Sequence, residues 1–319
     1  MEFVRTMRHL FIINPAAGKK NTTAQLEAVL DKLSFEHEVV YTTGEGDAQR
    51  ITEEAAAAGE PVRIYACGGD GTLNEVVNGA AGHNHVAITN IPKGTGNDFL
   101  KLFGPDFRTT FYDLEALAVG PQDTYDLIDC NGKLGIDVVC SGVDARIGAG
   151  VHRYKNWHFV SGMGAYVLSL IENVLFKGIS HHLHVRMGDL EFDGESALLC
   201  VCNGRYYGGG FMPVPDAMPN DGILDVLYVK KVTLFQLPFL IGKYAKGLYK
   251  QLPEFVTEYH GQSVTFSSPQ EITTVVDGEV MKAREFTIRL SDKKVNFFRP
   301  AYARISGQPT EEGRKLAQV

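Results

Sequence analysis

At 319 residues, 44% apolar and 22% charged, the chain is long enough for two globular domains that each bury a core, and it has no low-complexity tract. A formal net charge of −7 argues against nucleic-acid binding through a general basic surface. No run of 18 uncharged apolar residues occurs, the best candidate (159–176) being broken by Glu172 and Asn173, so any membrane contact is expected to be peripheral.

Residues 1–9 lack the apolar core of a signal peptide. The five cysteines (Cys67, Cys130, Cys140, Cys200, Cys202) are odd in number and without a C-x-x-C pair. Buried thiols in a reducing, cytoplasmic setting are the expectation. The first third then alternates strand and helix signals. A strand at 9–14 leads to a helix at 22–33, apolar at Leu26, Val29, Leu30 and Leu33. A strand at 38–41 leads to an alanine-rich helix at 47–58, with Asp47 as its N-cap. A strand at 62–67 leads through a glycine turn to a helix at 72–81, and a strand at 86–91 ends at Pro92. This βαβα rhythm predicts an α/β N-terminal domain with a parallel sheet, a Rossmann-like nucleotide domain.

Ligands of such sheets lie beyond the carboxyl ends of the strands. Three strands end there in turn-rich loops: Asn14-Pro15-Ala16-Ala17-Gly18-Lys19, Gly68-Gly69-Asp70-Gly71-Thr72, and Pro92-Lys93-Gly94-Thr95-Gly96-Asn97-Asp98. The middle loop places three glycines before a helix start, where unpaired amides and the helix dipole favour a phosphate. A tight turn without a ligand is the plainer alternative. Asp70 either orients a nucleotide or caps the helix. The dinucleotide fingerprint fails at Asn74, the Walker pattern fails at Ile13 and Lys20, and Asp98-Phe99-Leu100 is not the protein-kinase triplet.

From about residue 125 the pattern changes. Strand-like segments fall at 127–129, 135–140, 182–187, 197–202, 223–229, 256–266, 271–276, 285–290 and 295–299, with helices near 162–176 and 234–249. They predict a C-terminal antiparallel β-sandwich domain. The expected division is 1–124 for the nucleotide domain and 125–299 for the sandwich, with 300–319 either folding back on the first domain or staying loose. The histidines of His181-His182-x-His184 read as a solvated strand, and Cys200 and Cys202 as buried thiols. Asp277-Gly278, taken alone, reads as a hairpin turn. The 234–249 helix combines Phe235, Leu237, Phe239, Leu240 and Ile241 with Lys230, Lys231, Lys243, Lys246 and Lys250. It is either a membrane-docking helix or a core helix with lysines in water, interrupted by Pro238. An apolar segment at 99–107 is a candidate acyl-chain lining.

With these loops in place, the chain resembles the diacylglycerol kinase catalytic-domain family, which includes bacterial lipid kinases and sphingosine and ceramide kinases. The resemblance rests on the three loops above, on Asn74-Glu75-Val76-x-Asn78-Gly79, and on Gly142-x-Asp144-Ala145. It continues through Cys202-Asn203-Gly204, Gly208-Gly209-Gly210, Pro215-Asp216-Ala217, Asp221-Gly222-x-Leu224-Asp225 and Asp277-Gly278-Glu279. It implies an ATP- and Mg2+-dependent kinase for a lipid alcohol, most plainly diacylglycerol. It also implies nucleotide contacts at Asn14, Pro15, Ala16, Ala17, Gly18, Thr42, Gly68, Gly69, Asp70, Gly71, Thr72, Leu73, Asn74 and Thr95, with Thr43 as an alternative to Thr42. By the same resemblance Asp277 is the general base, and Asp221 with the backbone carbonyls of Met218 and Ile223 holds Mg2+. Asp137 stands where many relatives carry asparagine. For the chemistry itself, the glycine-turn amides and Lys19 or Lys20 supply charge stabilisation at the γ-phosphoryl group. An NAD kinase-like enzyme and a nucleotide-binding regulator without catalysis are the other readings, and a homodimer is a common arrangement for such a chain.

Overall fold

The computed structural model describes residues 7–18, 22–142 and 180–306. The first strands are parallel, in the order β2 (Glu38–Tyr41), β1 (Arg8–Ile13), β3 (Val62–Gly68) and β4 (Val86–Pro92). Between them run α1 (Thr22–Leu30), α2 (Asp47–Ala57) and α3 (Asp70–Ala80). The central strands are buried almost end to end, β4 throughout, as in a parallel sheet covered on both faces. Two details differ from expectation. Helix α1 ends at Leu30, three residues early. Gly46, with φ +80, caps α2 in place of Asp47, whose carboxylate turns back onto the amide and hydroxyl of Thr43. The first amides of α2 are met instead by Glu75 of α3, which accepts from Gly46 and Ala48.

Beyond β4 come two short helices, α4 (Phe107–Thr110) and α5 (Leu114–Val119), then β5 (Gln122–Cys130), β6 (Lys133–Gly135) and β7 (Val138–Gly142). The chain continues with β8 (His181–Met187), β9 (Leu190–Cys202), β10 (Leu224–Lys230), α6 (Leu237–Tyr244), β11 (Val256–Gly261), β12 (Ser263–Val276) and β13 (Glu279–Phe298). All pairings among β5–β13 are antiparallel. The predicted 256–266 strand is broken at Gln262, and 263–276 is one strand. The predicted 285–290 and 295–299 segments are one long strand, β13, whose register on β5 shifts between Leu290 and Lys294. Helix α6 is shorter than 234–249 because Pro238 fixes its first turn and a separate 3-10 turn follows at Tyr249–Gln251. The helix expected near 162–176 and the 142–145 motif beyond Gly142 lie outside the described residues.

Alternation along the C-terminal strands sorts two cores. Val138, Cys140, Cys200, Cys202 and Leu227 face α6, while Val139, Leu199, Val201 and Val226 face Phe266 and Phe286 of β12 and β13. Strand β9 pairs with β8 through residues 190–196 and with β10 through 196–202, so it passes from one layer to the other. The sheet itself is not divided at 124/125. The end of β13 lies parallel beside β4, pairing Asn296 with Ala87 and Phe297 with Ile88. Tyr125, Leu127, Val295, Phe297, Phe298 and Ile305 therefore belong to the core of the α/β domain.

Candidate active site

Strands β1, β3 and β4 deliver their loops to one rim. The carbonyl of Gly68 accepts from the amides of Lys93 and Gly94 and from Asn97 Nδ2. Asn14 N donates to the Cys67 carbonyl, and Asn14 Nδ2 donates to Thr72 Oγ1 at 3.0 Å. Glycine is required where these backbones touch. A Cβ on Gly94 would stand 2.5 Å from Gly69 Cα, and one on Gly18 (φ +86) would stand 2.4 Å from the Lys93 carbonyl oxygen. Sequence reasoning passed over Lys93. It is 4% exposed, and its Nζ donates to the Asn14 carbonyl at 3.1 Å and to Thr23 Oγ1 at 2.8 Å, pinning the first loop. Burial lowers its pKa. Its place between Pro92 and Gly94 carries no sign of that burial. Lys19 and Lys20, the expected cations, lie outside the described residues.

Helix α3 starts at Gly69 in extended conformation with no side-chain cap. Asp70 does not cap it: Oδ1 accepts from Asp98 N at 2.6 Å and Oδ2 from Asn97 N at 2.9 Å, tying the second loop to the third. The amides of the first helical turn have no carbonyl one turn back to meet, so they point from the rim as donors. Pro15, Ala16 and Thr95 are exposed at this rim, and Asn14, Ala17, Gly69, Asp70 and Gly71 are half-buried. Thr42 N donates to the Ile13 carbonyl beside the first loop, whereas the hydroxyl of Thr43 is held by Asp47. Among the expected nucleotide contacts Thr42, Gly68 and Thr72 are buried, and two turn their side chains from the rim: Leu73 is packed in the α/β core, and the Asn74 amide is turned toward β6. A helix shows only part of its circumference to any one ligand.

Asn74 leads to the second half of the cleft. Asp277 (φ +47) and Gly278 (φ +97) are both left-handed and close β12 onto β13 in a two-residue hairpin. The turn also folds the Asp277 carboxylate onto three amides. Oδ2 accepts from Ile136 N at 2.7 Å, and Oδ1 from Val138 N at 2.9 Å and Asp137 N at 3.1 Å. A fourth donor is Asn74 Nδ2 at 3.2 Å, which also donates to the Leu134 carbonyl at 2.9 Å. Asn78, one turn on, clamps the same residue through both its carbonyl and its amide. Burial raises the Asp277 pKa, and the four donors pull against that rise.

Four carboxyls share this region. Asp70 is pushed up to about 6 by burial and by the charge of Asp98. Asp98 pairs with Lys101 Nζ at 2.5 Å and accepts from Gly209 N at 2.9 Å. Asp137 is raised well above the usual carboxylate range, first by burial and then by Asp277, Asp98 and Asp70, with Lys101 opposing. Its Oδ1 is buried without a hydrogen-bond partner and lies against Gly204, where a Cβ would collide with it.

The expected cation site is a separate loop. Asp221 Oδ1 accepts from Ile223 N at 3.0 Å, which brings those two residues together. Asp126 closes the loop, accepting from Gly222 N at 2.9 Å while donating its own amide to the Pro219 carbonyl. Its charge, after burial, helps raise the Asp221 pKa. The Met218 side chain turns to Arg205, leaving its carbonyl as the group available to an ion. One carboxylate and two carbonyls are hard oxygen donors suited to Mg2+. Among the described residues no three His, Cys, Asp or Glu side chains gather around a common point, so an ion here needs those carbonyls and water. His182 and His184 of β8 behave as on a solvated strand, 3.5 Å from Asp193 and 3.2 Å from Glu191, whereas the ring nitrogens of His181 are buried.

Residues 8–130 match the diacylglycerol kinase catalytic domain, and residues 137–299 match the YegS C-terminal NAD kinase beta sandwich-like domain. The chain belongs to this family of lipid kinases. A Pseudomonas aeruginosa PAO1 protein named "probable lipid kinase YegS-like" is 34% identical over 196 residues, 59% of this chain and 61% of that relative. The match thus spans about three-fifths of that relative's length. A Staphylococcus aureus JH9 protein that bears a lipid-kinase name is 23% identical over 85% of this chain and 88% of its own. The fold is that of a diacylglycerol kinase crystal structure from Bacillus anthracis str. Sterne, with TM-score 0.67, 19% identity, and coverage of 93% of this chain and 98% of that one.

Proposed function

We propose that this chain transfers the γ-phosphoryl group of ATP to the primary hydroxyl of a lipid alcohol, diacylglycerol first among them, giving phosphatidic acid and ADP. The observation that carries the reading is the single helix α3, which offers bare amides at its start and, one turn later, holds the Asp277 carboxylate through Asn74. Donor and base are thereby brought beside one rigid element before the lipid hydroxyl arrives, the positioning that in-line transfer demands. The triphosphate lies along the rim, on the backbone of 15–18 and 69–72 and beside Thr42 and Thr95, and 1–124 is the nucleotide side of the cleft. The base and the lipid belong to 125–299.

In the reaction the lipid oxygen attacks the γ-phosphorus, the bond to the bridging oxygen breaks, and ADP leaves. The hydroxyl proton passes to Asp277. Since four donors already occupy that carboxylate, one must give way, and Asn74 is placed to do so: its contact is the longest and it keeps the Leu134 carbonyl. Three backbone amides then hold the base anionic and aimed. Mg2+, held by Asp221 and the carbonyls of Met218 and Ile223, supplies positive charge and order to its loop when bound. The working place of such an enzyme is the cytoplasmic face of a membrane, where ATP and lipid meet.

The test is incubation with labelled ATP and Mg2+ against diacylglycerol, phosphatidylglycerol, ceramide, a sphingoid base and NAD. Label in a lipid, diacylglycerol most of all, is expected. Label in NAD and in no lipid would replace this reading.

A further inference from the structure

We propose that the outer face of α6, with the turn that leads into it, seats this chain on the anionic leaflet of a lipid bilayer. The proposal rests on the lipid-kinase reading and adds to it the surface and the lipid charge. Between Val226 and Pro253 the sequence holds five lysines (Lys230, Lys231, Lys243, Lys246, Lys250) and no Asp or Glu, in a chain of net charge −7. Within that basic stretch Phe235 is 97% exposed, Phe239 59% and Leu234 50%. Single exposed apolar residues are common, but three together inside a basic run are not scatter.

The inner face of α6 is already satisfied. Leu237, Leu240 and Tyr244, at helical spacing, pack with Leu198, Val232 and Leu252. Phe239 therefore points away from the core. Its ring carries Lys243 Nζ at 4.6 Å from the centroid, so the cation rides on the apolar group it would accompany to the interface. The preceding turn is fixed: Gln236 Oε1 accepts from both the amide and the hydroxyl of Thr233, which holds Leu234 and Phe235 at an apex. A fixed apolar tip with Lys243 beside it, in a stretch that carries four more lysines, fits an anionic headgroup layer over an acyl interior. A second copy fits less well, because a two-fold contact would set the lysines of one face against those of the other. One neighbour tempers the charge: Asp216 lies 3.8 Å from Lys250.

The face is also joined to the cleft. The Tyr207 hydroxyl donates to that of Tyr244 at 3.2 Å, Met212 N donates to the Ala245 carbonyl, and Gly209 N donates to Asp98. The 207–212 loop, which donates to Asp98 of the site, thus also braces the docking helix.

Co-sedimentation with vesicles of phosphatidylcholine, alone or mixed with phosphatidylglycerol, tests this without turnover. The full chain should bind the mixed vesicles and bind phosphatidylcholine far less. Replacing Phe235→Ser and Phe239→Ser should weaken partitioning by roughly tenfold per ring. Lys243→Gln and Lys246→Gln should each weaken it by about fivefold, an effect that fades in high salt. All four side chains project from the core, so the melting temperature should hold. Phosphorylation of a short-chain diacylglycerol dispersed as monomers should be unchanged in the phenylalanine variant, while phosphorylation of the same alcohol in vesicles falls. Equal vesicle binding by variant and parent, indifference of the parent to anionic lipid, or a variant that only breaks a dimer would overturn the proposal. Vesicle binding as expected, with no lipid alcohol labelled, would sink the kinase reading and leave the docking face standing.

Discussion

At the rim of the α/β sheet, the site is shaped by groups from neighbouring strands: Gly68 meets Lys93, Gly94 and Asn97, and Asn14 meets Cys67 and Thr72. At the hairpin, Asp277 is held by Asn74, 203 residues away, and by amides of residues 136–138, 139 to 141 residues away. The rim is a backbone surface that waits for a ligand. The hairpin is a carboxylate that the chain has already provided with partners. On the proposed reading the rim binds the nucleotide and the held carboxylate takes the proton, so damage to each should register in a different kinetic constant.

The largest effect is expected at Asp277. Asp277→Asn removes the proposed proton acceptor and should lower kcat by about two to four orders of magnitude, the range for a general base, with the KM for ATP near that of the parent. Steady-state kinetics at saturating lipid reads this directly. The variant also sets an amide NH2 against the donors from 136–138, so its melting temperature is measured beside it. A near-normal kcat in a folded variant removes Asp277 from the reaction.

Next comes the strand that joins the two regions. Phe297 lies among the rings of Phe99, Phe103, Phe111 and Tyr125, with centroids 5.3 to 6.2 Å away. Phe297→Ala should cost about 3–5 kcal/mol in chemical denaturation, as for a large core aromatic. If β13 served the sandwich alone, the loss would leave nucleotide binding at the rim intact. Loss of both together is the outcome expected from a strand shared by two cores.

A smaller change, Gly94→Ala, sharpens the comparison from the other side. The new methyl would stand 2.5 Å from Gly69 Cα and must push the second and third loops apart. The overpacking cost is about 1–3 kcal/mol. Nucleotide affinity, read by calorimetry, should fall further than kcat at saturating ATP.

The same contrast explains what could be read from the sequence. The parallel strands, the glycine turn and the three loops announce themselves by spacing, because each depends on residues close together in the chain. Lys93 did not, since a lysine in a loop carries no sign that its Nζ will be buried beneath Asn14 and Thr23. Leu73 lies within the motif, and helical geometry turns its side chain to the core, which spacing alone does not show. Strand β13 reads as two pieces because polar residues 291–294 interrupt its pattern, and its passage into the first sheet depends on a pairing with β4 more than 200 residues earlier. Asp277 looked like a hairpin residue and is one; what distinguishes it is the set of amides that topology brings to it.

Asp137 offers the finest discrimination between these two modes of construction, because it sits between them. Asp70, Asp137 and Asp277 all have pKa values raised in the folded chain, so each keeps its proton to higher pH folded than unfolded. The folded state then holds more protons above about pH 4, and stability falls as pH rises until the folded groups ionise, near 6 for Asp70. Asp137→Asn removes one such proton and is neutral throughout. At pH 4 the variant should differ little from the parent. As pH rises its relative stability should grow, by at most about 1.4 kcal/mol per pH unit. The steepness of that growing gap measures how strongly the cleft holds the Asp137 proton. Denaturation curves across pH 4 to about 8 read the gap directly. A gap that does not change with pH would mean Asp137 is ionised at the same pH folded and unfolded, which its buried, unpartnered Oδ1 does not allow.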